Sequence, residues 1–573
     1  MLNSTVVGGI TGRLEFDAAD IVFGSSVDSP VGVNERLAVG VNERLTVRVI
    51  TDSRLANATE IRAQLQARGH EFQGATDGEL IAHAYEEWGA HGLARLRGPF
   101  ACAIWDATAR RLVIARDHVG LRRLYYALLP GGGVAFASEI PALLDDPDVG
   151  REWSPEAIDA YLALGYVPAP LTAYRRISKL EPSQFLQMEG RALHLERYWD
   201  LPAATPISVA LDERLATLDA RLRAVLRRPA DATPGVLYSG STSSTVLLAA
   251  AAPGGALPVT VDVEQDASEL ARSDAAASRL GHARLLELTA PDAMTLGGEC
   301  AWHLHEPIAD PSAVAQLAVL RAARRHVDSA FAAHGARILW GSGAPHRIER
   351  HRGRIPDLRA VKRAYSVWDD HQRRGIYTRE FSWQVRDANP FSRHVALHAA
   401  HPSDDPLERA VYVDLRLSLA DGALACAERA AGAAGLSLRY PFLDYELLIL
   451  AATTPASVKQ RGSTGIHALR RLLLRQIPRT LMPPARPQAP RHDWLRTSLA
   501  AMVPAMLFTP RFDGRGIVSR PALRRIWSDH QAGRRDYAFQ LWSLVMLEFW
   551  FRRCIDSEAA GEPLEYAVLK AVA

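Results

Sequence analysis

One segment near the middle of the chain constrains the fold more than any other. Apolar residues fill positions 235–238 and 258–261, and between them small residues at 239–245 lead into apolar residues at 246–252. This order predicts a strand, a tight loop, a helix and a second strand, the βαβ unit of a parallel sheet. Because parallel sheets bind ligands at the carboxyl ends of their strands, the loop is the first candidate for a functional site.

The composition is typical of a soluble, folded protein of several domains. The chain has 573 residues, of which 48% are apolar and 23% charged, and 67 Lys+Arg against 64 Asp+Glu give a net charge of +3. At about 150 residues per domain, this length predicts about two to four domains. A net charge so close to zero provides no electrostatic reason to expect nucleic acid or an anionic membrane as partner. We expect a small molecule or another protein.

The cysteines and the amino terminus indicate the cytoplasm. The four cysteines lie far apart and form no CxxC pair, so we predict neither a disulfide framework nor a zinc site, and no metal ligands are assigned. No apolar run approaches the ~20 residues of a membrane helix, and residues 1–4 do not resemble the start of a signal peptide.

Two domains are predicted, over residues 1–200 and 207–573, with a Pro-containing connector at 202–206. The first is an α+β unit, in which hydrophobic patterns predict helices at 60–68 and 78–88 and strands at 100–105 and 111–115. The second begins with a helix at 211–226 that carries a leucine stripe. From about Pro406 onward the pattern predicts mostly helices.

A series of short motifs occurs along the whole chain, and their order is informative. They occupy residues 52–57, 76–80, 98–101, 116–120, 124–126 and 136–140 in the first half, and 239–245, 306–312, 341–344 and 439–444 in the second. The series resembles the asparagine synthetases, which join a class II glutamine amidotransferase domain to an ATP-pyrophosphatase synthetase domain. The resemblance implies an α/β protein: an N-terminal Ntn-type αββα sandwich, then a parallel-sheet PP-loop (adenine nucleotide alpha hydrolase-like) synthetase domain with a helical C-terminal part.

The glutaminase chemistry that the resemblance implies is missing from this sequence. Such glutaminases attack glutamine with an N-terminal cysteine that removal of Met1 exposes, and here residue 2 is Leu2. Cys102 lies in an apolar strand, where a packed thiol is the ordinary interpretation. Ala56 also replaces an aromatic residue that is usual in the family. We therefore predict an amidotransferase-like domain that does not hydrolyse glutamine.

The metal site of the synthetase domain is altered as well. The family pattern Ser-Gly-Gly-x-Asp-Ser cradles pyrophosphate and supplies one magnesium-binding aspartate, but here Ser241 replaces the second glycine and Ser243 the aspartate. A second family aspartate and the glutamate beside it correspond to Pro345 and His346. Magnesium prefers carboxylate oxygens, so these residues are poor substitutes.

Two further replacements point the same way. Gln488 replaces a lysine that faces the phosphates, and Ser437 replaces a usual acidic residue. We assign no cofactor and predict that ATP and magnesium are not used in the family's manner. The remaining nucleotide-pocket positions are Ser239, Gly240, Ser244, Gly341 and Gly343, together with Gln488.

The replaced positions suggest acyl transfer or hydrolysis without ATP. In the first hypothesis Ser243, or Ser241, is the nucleophile, His346 is its base, and backbone amides after Ser243 form an oxyanion hole. Glu306, Asp310 or Glu349 would orient the histidine. The alternative interpretation is that a serine-rich loop is what drift leaves behind, with His346 solvated among arginines.

Two other functions stay open at the level of sequence. A non-catalytic pseudo-synthetase could bind a ligand or partner, for example through the cationic stretch 347–354. An ATP-dependent amide ligase with relocated ligands would resemble the β-lactam synthetases and lasso-peptide cyclases, which also lack the glutaminase cysteine. The enzymatic interpretations suit a small-molecule, acyl or peptide substrate of specialised metabolism. The protein could form a homodimer or a complex with a partner protein.

Overall fold

A computed structural model describes fourteen stretches of the chain, which are residues 9–14, 22–25, 37–42, 46–203, 211–228, 234–251, 256–262, 267–282, 286–289, 293–341, 358–461, 465–484, 495–497 and 499–556. The chain divides into two compact units. The first consists of Met1–Trp153 and Ala169–Pro202, and the second of Ser154–Pro168 and Ala203–Ala573.

Strands dominate the first unit. Its described strands are β1 (Ile10–Leu14), β2 (Val22–Ser25), β3 (Leu37–Val41), β4 (Val47–Ser53), β5 (Phe100–Asp106), β6 (Arg111–Arg116), β7 (Tyr125–Leu128), β8 (Val134–Ala137), β9 (Ser178–Lys179), β10 (Gln184–Glu189) and β11 (Ala192–Arg197). Its described helices are α1 (Ala58–Gln66), α2 (Asp77–Trp88) and α3 (Ile140–Leu144), with a 3-10 turn at Ala90–Arg95.

These strands form two antiparallel sheets. One has the order β2-β1-β8-β7-β9 and the other β11-β10-β6-β5-β4-β3. A hydrophobic core with residues from both sheets, among them Ile10, Trp105 and Phe136, fills the space between them. The opposite face of the six-stranded sheet packs against α2 through residues such as Ile81 and Phe100. The αββα sandwich is thereby confirmed.

Strand β5 shows why its sequence reads as an unbroken apolar run. Ala103 and Trp105 face the core between the sheets, whereas Cys102 and Ile104 face the helical layer. A strand covered on both faces needs apolar residues at every position rather than at alternate ones.

Helices and one parallel sheet form the second unit. Its described strands are β12 (Gly235–Leu237), β13 (Leu257–Asp262), β14 (Leu286–Thr289), β15 (Ser329–Phe331) and β16 (Ser437–Arg439). Its described helices up to residue 400 are α4 (Pro155–Leu164), α5 (Leu211–Leu226), α6 (Thr242–Ala250), α7 (Ala267–Arg279), α8 (Ala293–Leu304), α9 (Ser312–Arg324), α10 (Ala336–Leu339), α11 (Leu358–Tyr365), α12 (Asp370–Ile376), α13 (Arg379–Gln384) and α14 (Ser392–Ala400).

The rest of the unit is almost wholly helical. It comprises α15 (Pro406–Asp414), α16 (Leu424–Ala434), α17 (Tyr445–Ala452), α18 (Ala456–Lys459), α19 (His467–Leu473), α20 (Met502–Leu507), α21 (Pro510–Asp513), α22 (Arg520–Gln531) and α23 (Ala538–Trp550), with π-helical segments at Leu415–Ala423 and Phe551–Ile555 and 3-10 turns at Pro441–Leu443 and Arg479–Leu481.

The sheet of the second unit is parallel throughout, as predicted. Its order is β14-β13-β12-β15-β16, which places β12 in the middle. Gly235 pairs with Leu257 on one side and with Ala330 on the other. The loop after β12 therefore leaves the centre of the sheet, where the carboxyl ends of neighbouring strands surround it.

Two boundaries differ from the sequence predictions. Helix α6 begins at Thr242 rather than Val246, because Ser241 caps it and the following serines and threonine occupy its first turn. Helices dominate from Leu358 onward, well before Pro406, because α11 to α14 are each too short for a clear apolar period. Within the described ranges, no helix has both the length and the apolar character needed to cross a bilayer.

Candidate functional site

Residues 239–244, called here the serine loop, comprise the end of the connection from β12 and the first turn of α6. Gly240 has φ +67°, a left-handed conformation that favours glycine. A Cβ atom at Gly240 would lie 2.1 Å from the Ser273 Oγ atom of α7. The loop consequently passes closer to α7 than any residue with a side chain would allow.

Three hydroxyl groups of the serine loop form one hydrogen-bonded cluster. The Ser239 Oγ atom lies 3.1 Å from Ser241 Oγ and 3.3 Å from Ser244 Oγ, and the last two atoms are 3.1 Å apart. Ser241 is also the N-cap of α6, since its Oγ accepts from the Ser244 amide at 3.4 Å. Ser239 is exposed and Ser241 half-buried, so this cluster can be reached from solvent.

Ser243 differs from the other serines of the loop. Its residue is only 3% exposed, and it lies inside the first turn of α6. No described group lies within hydrogen-bonding distance of its buried Oγ atom. A buried polar atom without a partner is costly, so the Ser243 hydroxyl does not stabilise the fold through a described hydrogen bond.

Helix α19 brings a second segment to the serine loop. The amide of Ile466, the residue before α19, donates to the Trp340 carbonyl at 3.1 Å. One turn later, the Arg470 Nη1 atom lies 3.4 Å from the Thr242 Oγ1 atom of α6. The start of α19 therefore lies beside both the serine loop and the Trp340-Gly341 segment.

The backbone at this junction is strained. Ile466 has φ +51°, which is unusual for a β-branched residue. Gly341 has φ +83°, and a Cβ atom there would lie 3.3 Å from the Lys459 Cβ atom. Conformations of this kind persist at functional sites because the surrounding structure enforces them.

Two cationic side chains near the junction were not singled out in the sequence. Lys459 is fully buried, and burial lowers the pKa of its ammonium group to about 8, against the opposing effects of Glu408 and Asp405. Arg470 also donates to the Pro483 carbonyl at 2.8 Å. The amino terminus of α6, where backbone N–H groups attract anions, thus has an arginine beside it.

The structure places the predicted orienting carboxylates on other elements. Asp310 follows α8, accepts from the Ser312 amide at 2.9 Å and affects the pKa of Cys300 and Cys426. Glu306 is buried in the same segment, whose Ala309 amide donates to the Gly165 carbonyl at the end of α4. Asp310 forms none of the described hydrogen bonds of the serine loop.

Several predicted positions lie outside the described residues. These are Leu2 at the amino terminus, Gly343, Pro345, His346 and Glu349 after Gly341, the cationic stretch 347–354, and Gln488. Ser437 is described and begins β16, where its amide donates to the Asp328 carbonyl at 3.0 Å.

In the first unit, the segment 52–57 is held by conventional hydrogen bonds. The Asp77 carboxylate accepts from the Leu55 amide at 3.0 Å, and the Asn57 side chain joins Arg95 and Arg97. Cys102 is completely buried, and burial raises the pKa of its thiol to about 12. A thiol in this environment does not form the thiolate that a glutaminase nucleophile requires.

The comparisons with known proteins agree with this architecture. A family model described as a glutamine amidotransferase domain matches residues 39–199, and one described as asparagine synthase matches residues 218–552. The chain belongs to the asparagine synthetase family. It is 30% identical to a Mycobacterium tuberculosis H37Rv protein provisionally named a glutamine-hydrolyzing asparagine synthetase, over 88% of this chain and 84% of that protein.

A second relative is more distant. The chain is 24% identical to the glutamine-hydrolyzing asparagine synthetase 1 of Bacillus subtilis, over 90% of this chain and 87% of the relative. Together these matches span both units, so the order of the two domains is that of the family.

The described residues of the serine loop do not fit the magnesium ion that the family implies. Residues 239–244 offer hydroxyl and backbone groups without a carboxylate, and Ser243 occupies the family's aspartate position with an unpartnered hydroxyl. Magnesium is normally held by carboxylates and water in octahedral geometry.

Lys459 was the residue that the sequence could have revealed. Only four of the 67 cationic residues are lysine, at positions 179, 362, 459 and 570. A lysine in so arginine-rich a chain was therefore a usable signal. Arg470 offered none, because it is one arginine among many and its role depends on a neighbour 228 residues away.

Proposed function

We propose that this member of the asparagine synthetase family makes, exchanges or cleaves an amide or acyl bond at the serine loop, without hydrolysing glutamine and without magnesium-dependent adenylation. The observation that carries the proposal is the hydroxyl cluster at the amino terminus of α6, where the family has a magnesium-binding carboxylate. Serine hydroxyls beside a helix amino terminus suit acyl chemistry better than metal binding.

Burial selects Ser241 rather than Ser243 as the nucleophile in this proposal. The Ser243 Oγ atom is enclosed, whereas Ser241 is half-buried and belongs to the cluster that includes exposed Ser239. The Ser241 Oγ atom would attack the substrate carbonyl carbon and pass its proton to His346. The leaving amine or alcohol would take that proton, and an amine or water would then accept the acyl group.

Labelling with a fluorophosphonate tests the nucleophile. We expect labelling of the wild type and of Ser243→Ala, and its loss in Ser241→Asn and His346→Ala. Asparagine is as good an N-cap as serine, so Ser241→Asn removes the hydroxyl while preserving the start of α6. Ser528→Ala, which changes an exposed serine of α22, is the matched control and should label normally. An unlabelled wild type, or labelling that survives Ser241→Asn, would contradict the assignment.

A second candidate function rests on Lys459 and Arg470. Arg470 beside the amino terminus of α6, together with Lys459 beside Gly341, could bind phosphates, as an ATP-dependent amide ligase requires. Calorimetry with ATP and magnesium, followed by assay of pyrophosphate release, separates the two functions. The primary proposal expects no binding at millimolar nucleotide. Binding that is lost in Arg470→Met but kept in Arg386→Met, an exposed arginine of the same unit, would favour the ligase instead.

Glutamine hydrolysis is tested by ammonia release. We expect none, because Leu2 cannot supply a thiolate and the Cys102 thiol is buried. Ammonia formation by the purified protein would contradict this part of the proposal. If the protein is not labelled, binds no nucleotide and releases no ammonia, these results together would contradict catalysis altogether and leave a binding role.

A further inference from the structure

Two histidines and a glutamate of the first unit converge at one point on the outer helical layer. The Nδ1 atoms of His70 and His83 are 3.1 Å apart, and the Glu86 Oε2 atom lies 3.9 Å from each of them. We propose that His70, His83 and Glu86 form a binding site for a divalent transition-metal ion, with Zn²⁺ as its natural occupant.

The three ligand atoms lie close to the spacing that a bound zinc ion requires. A point equidistant from the two Nδ1 atoms and the Glu86 Oε2 atom lies about 2.1 Å from each, which equals ordinary Zn–N and Zn–O bond lengths. That point lies in the plane of the three atoms. In a tetrahedral site ligand atoms are about 3.3 Å apart, so the two nitrogens need to separate by a few tenths of an ångström and the Glu86 Oε2 atom needs to approach them by about half an ångström. A fourth position would remain for water.

Local backbone structure places these ligands. His83 and Glu86 are three residues apart on α2, so their side chains share one face of the helix. His70 follows α1 in a left-handed turn at Gly69, where φ is +95° and the His70 amide bonds the Leu65 carbonyl at 3.2 Å. This Schellman-type end directs His70 toward α2.

A second carboxylate sets the state of the His70 ring. The His70 Nε2 atom lies 3.2 Å from the Glu87 Oε2 atom, and Glu87 also pairs with Arg68. When Nε2–H donates to Glu87, the lone pair of Nδ1 is directed elsewhere and can bind a metal. Carboxylates that orient ligating histidines in this way are typical of zinc sites, and Glu87 is therefore a positioning residue.

The site is protected and still reachable. The side chains of His83, His70 and Glu86 are 1%, 12% and 30% exposed, so zinc could enter from the Glu86 side. The Phe72 ring packs on His83, with ring centroids 4.6 Å apart, and limits its rotation. Without metal, one Nδ1–H can donate to the other Nδ1, which keeps the pair together when the site is empty.

Zinc titration of the full-length protein, purified without a histidine tag and stripped with a chelator, tests the site. We expect one equivalent of Zn²⁺ to bind at micromolar protein and to raise the melting temperature, and Co²⁺ to give the intense visible spectrum of four-coordinate cobalt. Mg²⁺ should displace neither Zn²⁺ nor Co²⁺ from the site. Less than half an equivalent of zinc, or a cobalt spectrum like that of the free ion, would overturn the proposal.

Variants identify the ligands. His70→Ala and Glu86→Gln should abolish the stoichiometric binding and the cobalt spectrum, whereas His91→Ala, an exposed histidine of the same unit, should keep both. His70 and Glu86 are not core residues, and circular dichroism confirms folding. Glu87→Gln should weaken zinc about 10- to 100-fold while the melting temperature of the metal-free protein stays unchanged. Zinc binding that is equal in the wild type and His70→Ala would overturn the assignment.

Discussion

At the scale of single residues, Gly240 controls the shape of the serine loop. Its left-handed backbone and its close approach to Ser273 leave no room for a side chain. The loop geometry on which Ser239, Ser241 and Ser244 depend is therefore set by a residue that takes no part in the chemistry.

Gly240→Ala should destabilise the protein and weaken fluorophosphonate labelling. The left-handed conformation alone costs about 1–2 kcal/mol, and the contact with Ser273 Oγ adds to it. Urea unfolding measures the loss. Gly375→Ala is the matched control, because a Cβ atom there meets nothing within 4 Å. Equal unfolding midpoints for the two variants would contradict this account.

Sequence reasoning located the serine loop but not its details. Small residues after an apolar strand were sufficient to predict a ligand-binding turn, whereas the inclusion of Ser243 in α6 depends on the capping by Ser241. The metal-binding pattern of His70, His83 and Glu86 matches no short motif, because a helix end and a turn separate its first two members. Only the packing of α1 against α2 brings them together.

At the scale of elements, a buried ion pair joins α4 to α12. The Arg373 Nε and Tyr377 hydroxyl groups both donate to Asp159 Oδ1 at 2.6 Å. Burial raises the pKa of Asp159 although Arg373 opposes the shift. This connection holds the residues of α4 within the second unit, although the chain on either side of them belongs to the first.

Arg373→Met should destabilise the second unit strongly, because it leaves the Asp159 carboxylate buried without its cation. Losses of about 3–5 kcal/mol are typical when one partner of a buried pair is removed. Arg386→Met, at an exposed pair with Asp387, should change stability by less than about 1 kcal/mol. Urea titration followed by tryptophan fluorescence gives both values, and similar midpoints would show that the buried pair contributes little.

Strong apolar patterns explain which elements were predictable. Strands β5 and β6 and helices α2 and α5 have long, regular patterns and lie where the sequence placed them. Helices α11 to α14 were missed because each offers about two turns, which is too few for a period to emerge. Tertiary packing rather than local propensity keeps such short helices folded.

At the scale of the whole molecule, four histidines of the second unit make the fold sensitive to acid. Burial, the largest cause in each case, lowers the pKa to about 4 for His303, His334 and His398 and to about 3 for His394. In the unfolded chain these groups titrate near 6.5.

Stability should therefore be full above about pH 6.5 and should fall as the pH drops toward 4. In that interval the unfolded chain binds protons that the folded chain does not, and each histidine contributes about 1.4 kcal/mol per pH unit. His394→Gln should flatten the dependence by this amount, and His371→Gln, an exposed histidine of α12, should not. Denaturant midpoints measured from pH 7.5 to 4.5 provide the test. Parallel curves for the wild type and His394→Gln would contradict it.

The order of motifs predicted the family and both folds, because many weak matches in the right sequence reinforce one another. The candidate site was harder to predict because it joins residues 239–244, 340–341 and 466–470, segments that meet only in three dimensions. A linear pattern identifies replacements such as Ser243, but not the burial that decides which hydroxyl can react.

The four cysteines are all free and all buried. A maleimide dye should consequently react with almost none of the thiols of the native protein. The wild-type chain therefore gives little background labelling in spectroscopy. A single cysteine introduced at an exposed position such as Trp383, which is 67% exposed, would carry one probe at a known place. Substrate screening by fluorescence could then begin without first replacing any native cysteine.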